Sequence, residues 1–248
     1  IQNIYFIGIG GIGVSAVARM MIGRGIAVSG SDRAPSVVTE GVAHLGARVA
    51  IGHDAKNIPN ETSIVIYSPA VPRDNIELVV AREQGIPCYM YPEALGLISK
   101  GMRTIAVSGT HGKTTTTAMI AEVLIAAQKS PTVIVGSLLK SGTNFVQGDS
   151  DLFVVEACEY KRSFLNLTPN ILVITNIDSD HLDYYKDIRD IQNAFNEIAM
   201  KVGVSSIIVC NPNDINIAQA LVSVSAKIID YTQEELSLRG QTSNLAVP

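Results

Sequence analysis

Two glycine-rich loops of different kinds constrain the fold of this 248-residue chain more than any other feature. The first loop, GIGGIG, covers residues 8–13, and the second, GTHGKTT, covers residues 109–115. Each follows a short apolar run and precedes a segment whose apolar residues recur with helical spacing. A strand, a phosphate-binding turn and a helix, in that order, open a βα unit. We therefore predict an α/β protein with two mostly parallel sheets, each with its own loop.

Further apolar runs alternate with helix-period segments along the whole chain, which extends the βα pattern. A break is predicted near residue 100, in the connection Lys100-Gly101-Met102. The predicted strands are Ile4–Ile9, Ala27–Ser29, Arg48–Ile51, Ser63–Tyr67 and Pro87–Tyr89, then Thr104–Ser108, Thr132–Val135, Leu152–Val155, Ile171–Thr175, Ser206–Val209 and Lys227–Asp230. The predicted helices are Val14–Gly23, Val38–Leu45, Ile76–Glu83 and Pro92–Ile98, then Lys113–Ala127, Asp187–Met200 and Asp214–Ser223.

Composition excludes several classes of protein. The chain is 47% hydrophobic and 17% charged with a net charge of -4, which is typical of a globular protein and gives no basic footprint for nucleic acid. No apolar run approaches the roughly 18 to 20 residues of a membrane span, and no signal peptide is evident. The three cysteines lack metal or redox spacing, so we expect a reducing cytoplasm. Because the chain begins at Ile1 and ends in a polar stretch, we expect a fragment.

The first loop fits the pattern G-x-G-x-x-G, and Asp32 follows about 20 residues later at the end of the next predicted strand. Glycines let backbone amides approach a diphosphate, and the dipole of the following helix favours its charge. NAD satisfies this pattern, and so does any molecule with a pyrophosphate and a ribose; a tight turn without ligand is the third alternative. The candidate contacts are Gly8, Gly10, Gly11, Ile12, Gly13 and Asp32.

The second loop has the chemistry of a P-loop. Its backbone amides would cradle phosphates, Lys113 would reach the β and γ oxygens, and Thr114 would offer a hydroxyl to Mg²⁺. The spacing departs from G-x-x-x-x-G-K-T, because the first glycine would fall at Val107; a chance GKT at a helix start is the alternative. The candidate ATP contacts are Gly109, Thr110, His111, Gly112, Lys113, Thr114 and Thr115.

The combination of loops is more informative than either loop. A dehydrogenase has no use for the second loop, and an ordinary P-loop NTPase has no use for the first. A protein that binds two different phosphorylated molecules uses both.

Acidic residues and one imidazole follow two of the strands predicted for the second sheet. Glu156 ends an apolar strand, at the edge where α/β sheets carry their ligands, and is a candidate Mg²⁺ ligand. His181 lies in the cluster of residues 176–183 after the next strand, which we expect to bind metal or position a phosphoryl group. Helix capping is the alternative for Asp180 and Asp183. We expect Cys158 to be a small buried hydrophobe, with a reactive thiol as the alternative. We expect His44 and His53 to be surface residues.

The order of motifs GIGGIG, GSD, YSPAVPRDN, SGTHGKTTT, EACEY and TNIDSDHLDYY resembles the Mur ligases of peptidoglycan synthesis. The resemblance covers nearly the whole chain. It implies a Rossmann-like N-terminal domain at residues 1–100 that binds a UDP-sugar, followed by a P-loop α/β ATPase domain at 101–248 that is incomplete. The amino-acid-binding third domain of such ligases would be absent, so we expect this chain to bind ligands without completing ligation.

The resemblance also implies roles for particular residues. The first loop would bind the diphosphate of UDP, and the resemblance therefore favours UDP over NAD as its ligand. Lys113 and Thr114 would bind ATP and Mg²⁺, Glu156 would complete a metal site, and His181 would help place a second metal near an acyl-phosphate. Asn176 would contact ATP and Ser68 the UDP-sugar. The implied reaction is ATP-dependent joining of L-alanine to UDP-N-acetylmuramate.

Three positions bear on which branch of the family the chain resembles. Cys158 and Lys161 stand where aspartates are common, which is a departure from the family pattern near its substrate contacts. Phe195 stands where several Mur ligases carry a carbamylated lysine, as in the alanine-adding branch. The alternatives are a nucleotide- or UDP-sugar-binding module without catalysis and the related ligase that recycles a murein tripeptide. A dehydrogenase is a more distant third.

Overall fold

The computed structural model describes residues 2–138 and 142–233 of the chain. Its strands form two mostly parallel sheets, connected by helices, and this confirms the predicted α/β class. The extension of the second domain through residues 234–248 lies outside the described residues. Within the described residues, no helix combines the length and apolar character needed to cross a membrane.

The first sheet has five strands, all parallel. Its elements are β1 (Asn3–Ile7), α1 (Ile12–Gly23), β2 (Ala27–Asp32), α2 (Val37–His44), β3 (Arg48–Ile51), β4 (Ile64–Tyr67), α3 (Ile76–Glu83), β5 (Cys88–Met90) and α4 (Tyr91–Lys100). The order β3-β2-β1-β4-β5 is that of a doubly wound fold. Ile4 and Phe6 of β1 pack into one core cluster and Tyr5 and Ile7 into another, so both faces of this central strand are buried.

The second sheet has seven strands in the order β12-β11-β10-β6-β9-β7-β8. Its elements are β6 (Arg103–Ser108), α5 (Lys113–Ala126), β7 (Thr132–Ile134), β8 (Phe145–Val146), β9 (Leu152–Glu156), β10 (Ile171–Ile174), α6 (Ile188–Lys201), β11 (Ile207–Cys210), α7 (Ile215–Ala220) and β12 (Lys227–Asp230). All pairs are parallel except β7 with β8. The loop at residues 109–112 therefore leaves the C-terminal end of a central strand, with β9 and β10 on either side of it.

Three short elements were not predicted. These are β8 and two 3-10 turns, at Ala55–Asn57 and Tyr160–Asn166. A strand of two residues is too short to show an alternating pattern, and its pairing with β7 depends on the fold. In the turn at Tyr160–Asn166, Lys161 and Arg162 have positive φ angles of 50° and 56°, which no local sequence pattern indicated.

The two halves of the chain contact each other beside the first loop. Asn144 Nδ2 donates a hydrogen bond of 2.5 Å to the carbonyl of Ile12, at the start of α1. Farther along, the amide of Thr168 donates to Ser99 Oγ of α4 at 3.1 Å. The predicted break near residue 100 lies between α4 and β6 and stays a prediction. These contacts bring the first loop next to the second sheet.

Candidate functional site

The first loop is held by its own strand neighbours. The amides of Gly8 and Ile9 both donate to the carbonyl of Ser31, and the amide of Gly10 donates to Asp32 Oδ2 at 2.8 Å. A Cβ on Gly10 would lie only 2.7 Å from Thr39 Cγ2. Glycine is therefore required here by packing as well as by any ligand. Asp32 orients the loop through one carboxylate oxygen, a role that the pattern did not indicate.

The predicted contacts of the first loop divide between two cavities. The N-terminal cavity, of about 580 Å³, is lined by Gly8, Gly10, Gly11, Asp32 and Ser68 among others. Ile12 and Gly13 line a different one, the junction cavity, of about 300 Å³, where they face Tyr91 and Glu156. Ser68 thus lines the same cavity as the first three glycines of the loop, and its contact with a UDP-sugar stays a prediction. The last two loop residues lie toward the second sheet.

A buried carboxylate beneath the N-terminal cavity was not predicted. Glu77 is fully buried and accepts hydrogen bonds from the side chains of Tyr5, Ser31, His53 and Asn57, at 2.5 to 2.9 Å. Burial raises the pKa of Tyr5. His53 is therefore no surface residue: it is half-buried and lines the cavity, whereas His44 is exposed as expected.

The five partners of this carboxylate come from three segments of the chain: β1, β2 and residues 53–57. The fifth is the backbone amide of Asp54, 3.2 Å from Glu77 Oε1. Glu77 lies in the first turn of α3, after the N-cap Asn75, and looked like an ordinary helix-start acid. No local sequence pattern distinguishes Glu77 from such an acid, and none indicates its partners.

The two glycines of the second loop have positive φ angles, which glycine adopts more readily than other residues. Gly109 has φ +135° and Gly112, the N-cap of α5, has φ +81°. A Cβ on Gly109 would collide with Thr175 Oγ1. Gly112 has no side chain to cap the helix, so the first-turn amides are left without a capping partner from that residue. Such amides attract phosphate.

Asn176 fastens this loop to the end of β10. Its Oδ1 accepts the amide of His111 at 2.8 Å, and its Nδ2 donates to the carbonyl of the same residue at 3.0 Å. The carbonyl of Asn176 accepts the amide of Thr110 at 3.0 Å. The side chain of Asn176, which was predicted to contact ATP, thus holds the loop in shape. Both polar atoms of its side-chain amide already bond to the backbone of His111.

Thr114 contacts the carboxylate that ends β9, and Lys113 contacts a second carboxylate three residues farther along. Thr114 Oγ1 donates to Glu156 Oε2 at 2.8 Å, and the amide of Gly136 donates to the same oxygen at 2.8 Å. Lys113 Nζ lies 2.9 Å from Glu159 Oε1. Two of the three residues predicted for the metal site, Thr114 and Glu156, are therefore in direct contact.

The donor set at Thr114 and Glu156 suits magnesium. A hydroxyl and a carboxylate are hard oxygen ligands, and Mg²⁺ is commonly held by one or two protein groups together with substrate phosphates. Among the described residues, no three His, Cys, Asp or Glu side chains converge as a metal-binding group. The residues present fit a cation shared with phosphate rather than a cage made by the protein alone.

His181 lies near Glu159 and not beside Glu156. Its Nε2 is 3.5 Å from Glu159 Oε1, its ring centroid is 4.8 Å from that of Tyr160, and its φ is +51°. Glu159 itself is 2% exposed and stood in the sequence only as the second acid of EACEY. Glu159 precedes the turn at Tyr160–Asn166, and no local sequence pattern indicated its contact with Lys113.

Cys158 lines the junction cavity beside Glu156. The prediction of a buried cysteine was wrong, because this residue is exposed. Protein atoms nevertheless surround the thiol on its other sides, and this desolvation raises its pKa, with a further increase from the charges of Glu159 and Glu156. A thiol with a raised pKa is a poor nucleophile at neutral pH.

Comparisons with known proteins agree with this arrangement. Residues 3–103 match the family described as "Mur ligase family, catalytic domain", and residues 107–246 match "Mur ligase middle domain". The UDP-N-acetylmuramate–L-alanine ligase of Caldicellulosiruptor saccharolyticus is 45% identical over 93% of this chain and 51% of the relative. The ligase of the same name from Clostridium kluyveri is 43% identical, with the same coverage. The chain spans about half the length of the curated relatives it matches.

Two solved structures resemble the chain over most of its length. The UDP-N-acetylmuramate-alanine ligase MurC of Thermotoga maritima gives a TM-score of 0.78 at 35% identity, covering 89% of this chain and 51% of that one. The UDP-N-acetylmuramate:L-alanyl-gamma-D-glutamyl-meso-diaminopimelate ligase of Neisseria meningitides gives 0.81 at 25% identity, covering 92% and 77%. Because the two family descriptions cover almost the whole chain and each contains one of the two loops, this chain belongs to the Mur ligase family.

Proposed function

We propose that this chain supplies the nucleotide-sugar-binding and ATP-binding parts of a ligase that joins L-alanine to the carboxylate of UDP-N-acetylmuramate. Relatives at 43 to 45% identity are named for that activity. The observation that carries the proposal is the position of Glu156. This carboxylate accepts a hydrogen bond from Thr114 of the second loop and lines the junction cavity, which reaches Ile12 and Gly13 of the first. One group thus lies between the two binding loops.

The second loop is proposed to bind ATP and Mg²⁺. Lys113 would neutralise charge on the phosphates, the amides at the start of α5 would hold their oxygens, and Thr114 and Glu156 would hold the cation. Bound Mg-ATP would supply the γ-phosphoryl group that activates the muramate carboxylate as an acyl-phosphate. The chain's own contribution is positioning and electrostatic stabilisation, because no side chain in this arrangement needs to form a covalent bond.

The N-terminal cavity is proposed to take the UDP part of the substrate. Gly8, Gly10 and Gly11 would present their backbone to the diphosphate, while Asp32 and Ser68 supply polar groups at the same wall. A nicotinamide cofactor fits this motif equally well in isolation. The nearby P-loop and Glu156 favour a ligase substrate, since hydride transfer needs neither.

His181 is proposed to help hold a second cation near the reacting phosphoryl group. Its support is its position after β10, at the same sheet edge as the second loop, and its strained backbone, since such outliers concentrate at functional sites.

The three cysteines are free thiols, which is consistent with a reducing cytoplasm as the compartment.

Ligation of a tripeptide is the second candidate function. The Neisseria meningitides ligase, whose name contains L-alanyl-gamma-D-glutamyl-meso-diaminopimelate, matches the fold with a TM-score of 0.81. The higher identity to alanine ligases favours L-alanine. A module that binds nucleotides without chemistry would show no product with either amine.

Mass spectrometry of the product distinguishes these functions. A protein carrying this chain and an amino-acid-binding domain would be incubated with Mg-ATP, UDP-N-acetylmuramate and either L-alanine or the tripeptide. We expect the UDP-linked alanine product at a rate above about 1 per second, as is common for enzymes. Product only with the tripeptide would assign the recycling reaction, and ligand binding without product would assign a binding module.

A further inference from the structure

Lys113 uses its whole donor capacity within the chain. Its Nζ donates to the carbonyl of Gly109 at 2.6 Å, to the carbonyl of Thr110 at 3.1 Å and to Glu159 Oε1 at 2.9 Å. A lysine ammonium has three hydrogens and no acceptor. A phosphate oxygen that binds Lys113 must therefore replace one of these three partners or share a hydrogen with it.

Glu159 is the partner whose loss matters most. It is the only charged acceptor of the three, and its side chain is 3% exposed, against 13% for Lys113. Its second oxygen, Oε2, is buried without a hydrogen-bond partner. A buried carboxylate is costly without an opposite charge or a donor nearby. Removing Lys113 from it is therefore opposed unless another donor takes its place.

His181 is the next donor within reach of this carboxylate. Its Nε2 lies 3.5 Å from Glu159 Oε1, slightly beyond a good hydrogen bond. Positive φ angles at His181, Lys161 and Arg162 hold the backbone on both sides of the contact. Non-glycine residues adopt such angles at an energetic cost and cluster where position matters. A small movement of one ring would complete the bond.

We infer that Glu159 is a positioning residue that competes with phosphate for Lys113. When a polyphosphate binds the ammonium of Lys113, Glu159 accepts a hydrogen bond from His181 instead; this change of partner is called the handover below. This rests on the proposed function only in that Lys113 binds phosphate. The competition lowers the affinity for polyphosphate, because the lysine is available for only part of the time. Binding of phosphate to the second loop also fixes the imidazole of His181 through its new hydrogen bond to Glu159. Phosphate binding is therefore coupled to the order of the His181 side chain.

Calorimetric titration of this chain with inorganic tripolyphosphate tests the competition. We expect Glu159→Gln to bind tripolyphosphate about three- to tenfold more tightly than the unchanged chain, on the scale of removing a competing state. Glu159→Asp, whose carboxylate falls short of the ammonium, should change affinity in the same direction if the Gln variant folds poorly. Glu122→Gln, which removes the same charge from an exposed position on α5, should bind as the unchanged chain does. Equal or weaker binding by the Glu159 variants would overturn the inference.

A double variant separates competition for the lysine from general repulsion of anions. If Glu159 acts through Lys113, Glu159→Gln should give no gain in a Lys113→Met background. An undiminished gain there would contradict the inference. The handover is tested by the ¹⁵N resonances of the His181 ring, which should shift on adding tripolyphosphate to the unchanged chain and not to Glu159→Gln. A missing shift in the unchanged chain would overturn the handover, whereas no binding of tripolyphosphate at all would overturn the proposed ATP site.

Discussion

Thr114 Oγ1 lies 2.8 Å from Glu156 Oε2, and this hydrogen bond joins the start of α5 to the end of β9. The same oxygen accepts the amide of Gly136, so the carboxylate is held by two donors from two different segments. Because both residues end or begin a regular element, their separation is set by the sheet and not by a loose loop. This rigidity is the physical basis for treating the pair as one site.

Replacing either charged residue at this site should reduce the rate without unfolding the protein. We expect Lys113→Ala and Glu156→Gln to lower the ligation rate at least about a hundredfold, the scale of losing one preorganised electrostatic contact. Glu156→Gln should change the thermal unfolding temperature little, because Glu156 ends β9 outside the core. Lys113→Ala should lower that temperature, because it leaves the buried carboxylate of Glu159 without its opposite charge. Asp151→Asn, at the other end of β9 in an exposed ion pair, is the matched control. Turnover near that of the unchanged protein in either variant would show that the site is misassigned.

Asn176 should act through the shape of the second loop. Asn176→Ala removes both side-chain bonds to His111, so the affinity for ADP should fall about tenfold, the scale of one or two hydrogen bonds. Calorimetric titration with ADP measures the change. Asn213→Ala, exposed at the same edge of the sheet, should leave the affinity unchanged. If the two variants bind ADP equally, Asn176 does not preorganise the loop.

The buried Glu77 should be a large contributor to the stability of the first sheet. Glu77→Gln replaces an acceptor by a donor among five donors, and we expect the free energy of unfolding to fall by about 3 kcal/mol. Glu83→Gln, exposed near the end of the same helix, should stay within about 0.5 kcal/mol of the unchanged chain. Urea denaturation followed by circular dichroism gives both values. A change as small in Glu77→Gln as in the control would mean that the network does not need the charge.

Cys158 should react slowly despite its exposure. Desolvation raises the pKa of this thiol, so at a given pH a smaller fraction is the reactive thiolate, and alkylation should increase only at higher pH than for a free cysteine. The midpoint of iodoacetamide labelling, followed by peptide mass spectrometry, should lie above about 8.5, the ordinary value. The same peptide in the urea-unfolded chain provides the reference. A midpoint at or below that reference would contradict the assigned surroundings of the thiol.

Much of the fold was predictable because local patterns determine it. The bounds of β3, α3 and β12 agree with prediction to the residue, since each is an apolar or amphipathic run with clear ends. The two loops were recognisable because glycine, lysine and threonine at fixed spacing serve a backbone geometry that tolerates few alternatives. Parallel strands then place Glu156 and residue 176 at one edge without any knowledge of side-chain contacts.

The partners of buried charges were not predictable. Glu77 meets Tyr5 across 72 residues of sequence, and Lys113 meets Glu159 across 46. No periodicity encodes such contacts, which depend on the crossing of separate segments. The same reason explains why His181 was a candidate site residue while its neighbour Glu159 was not: the contacts of that carboxylate with Lys113 and His181 join separate segments of the chain. Local sequence patterns identify the two loops, whereas the residues that contact them depend on the tertiary structure.

Calorimetric titration of this chain with UDP-N-acetylmuramate and, separately, with NADH shows which ligand the first loop binds. We predict binding of UDP-N-acetylmuramate with no comparable binding of NADH, because the first loop lies near a P-loop and the carboxylate of Glu156, neither of which a dehydrogenase needs. Tighter binding of NADH than of the nucleotide sugar would contradict the assignment of the first loop and, with it, the proposed ligase.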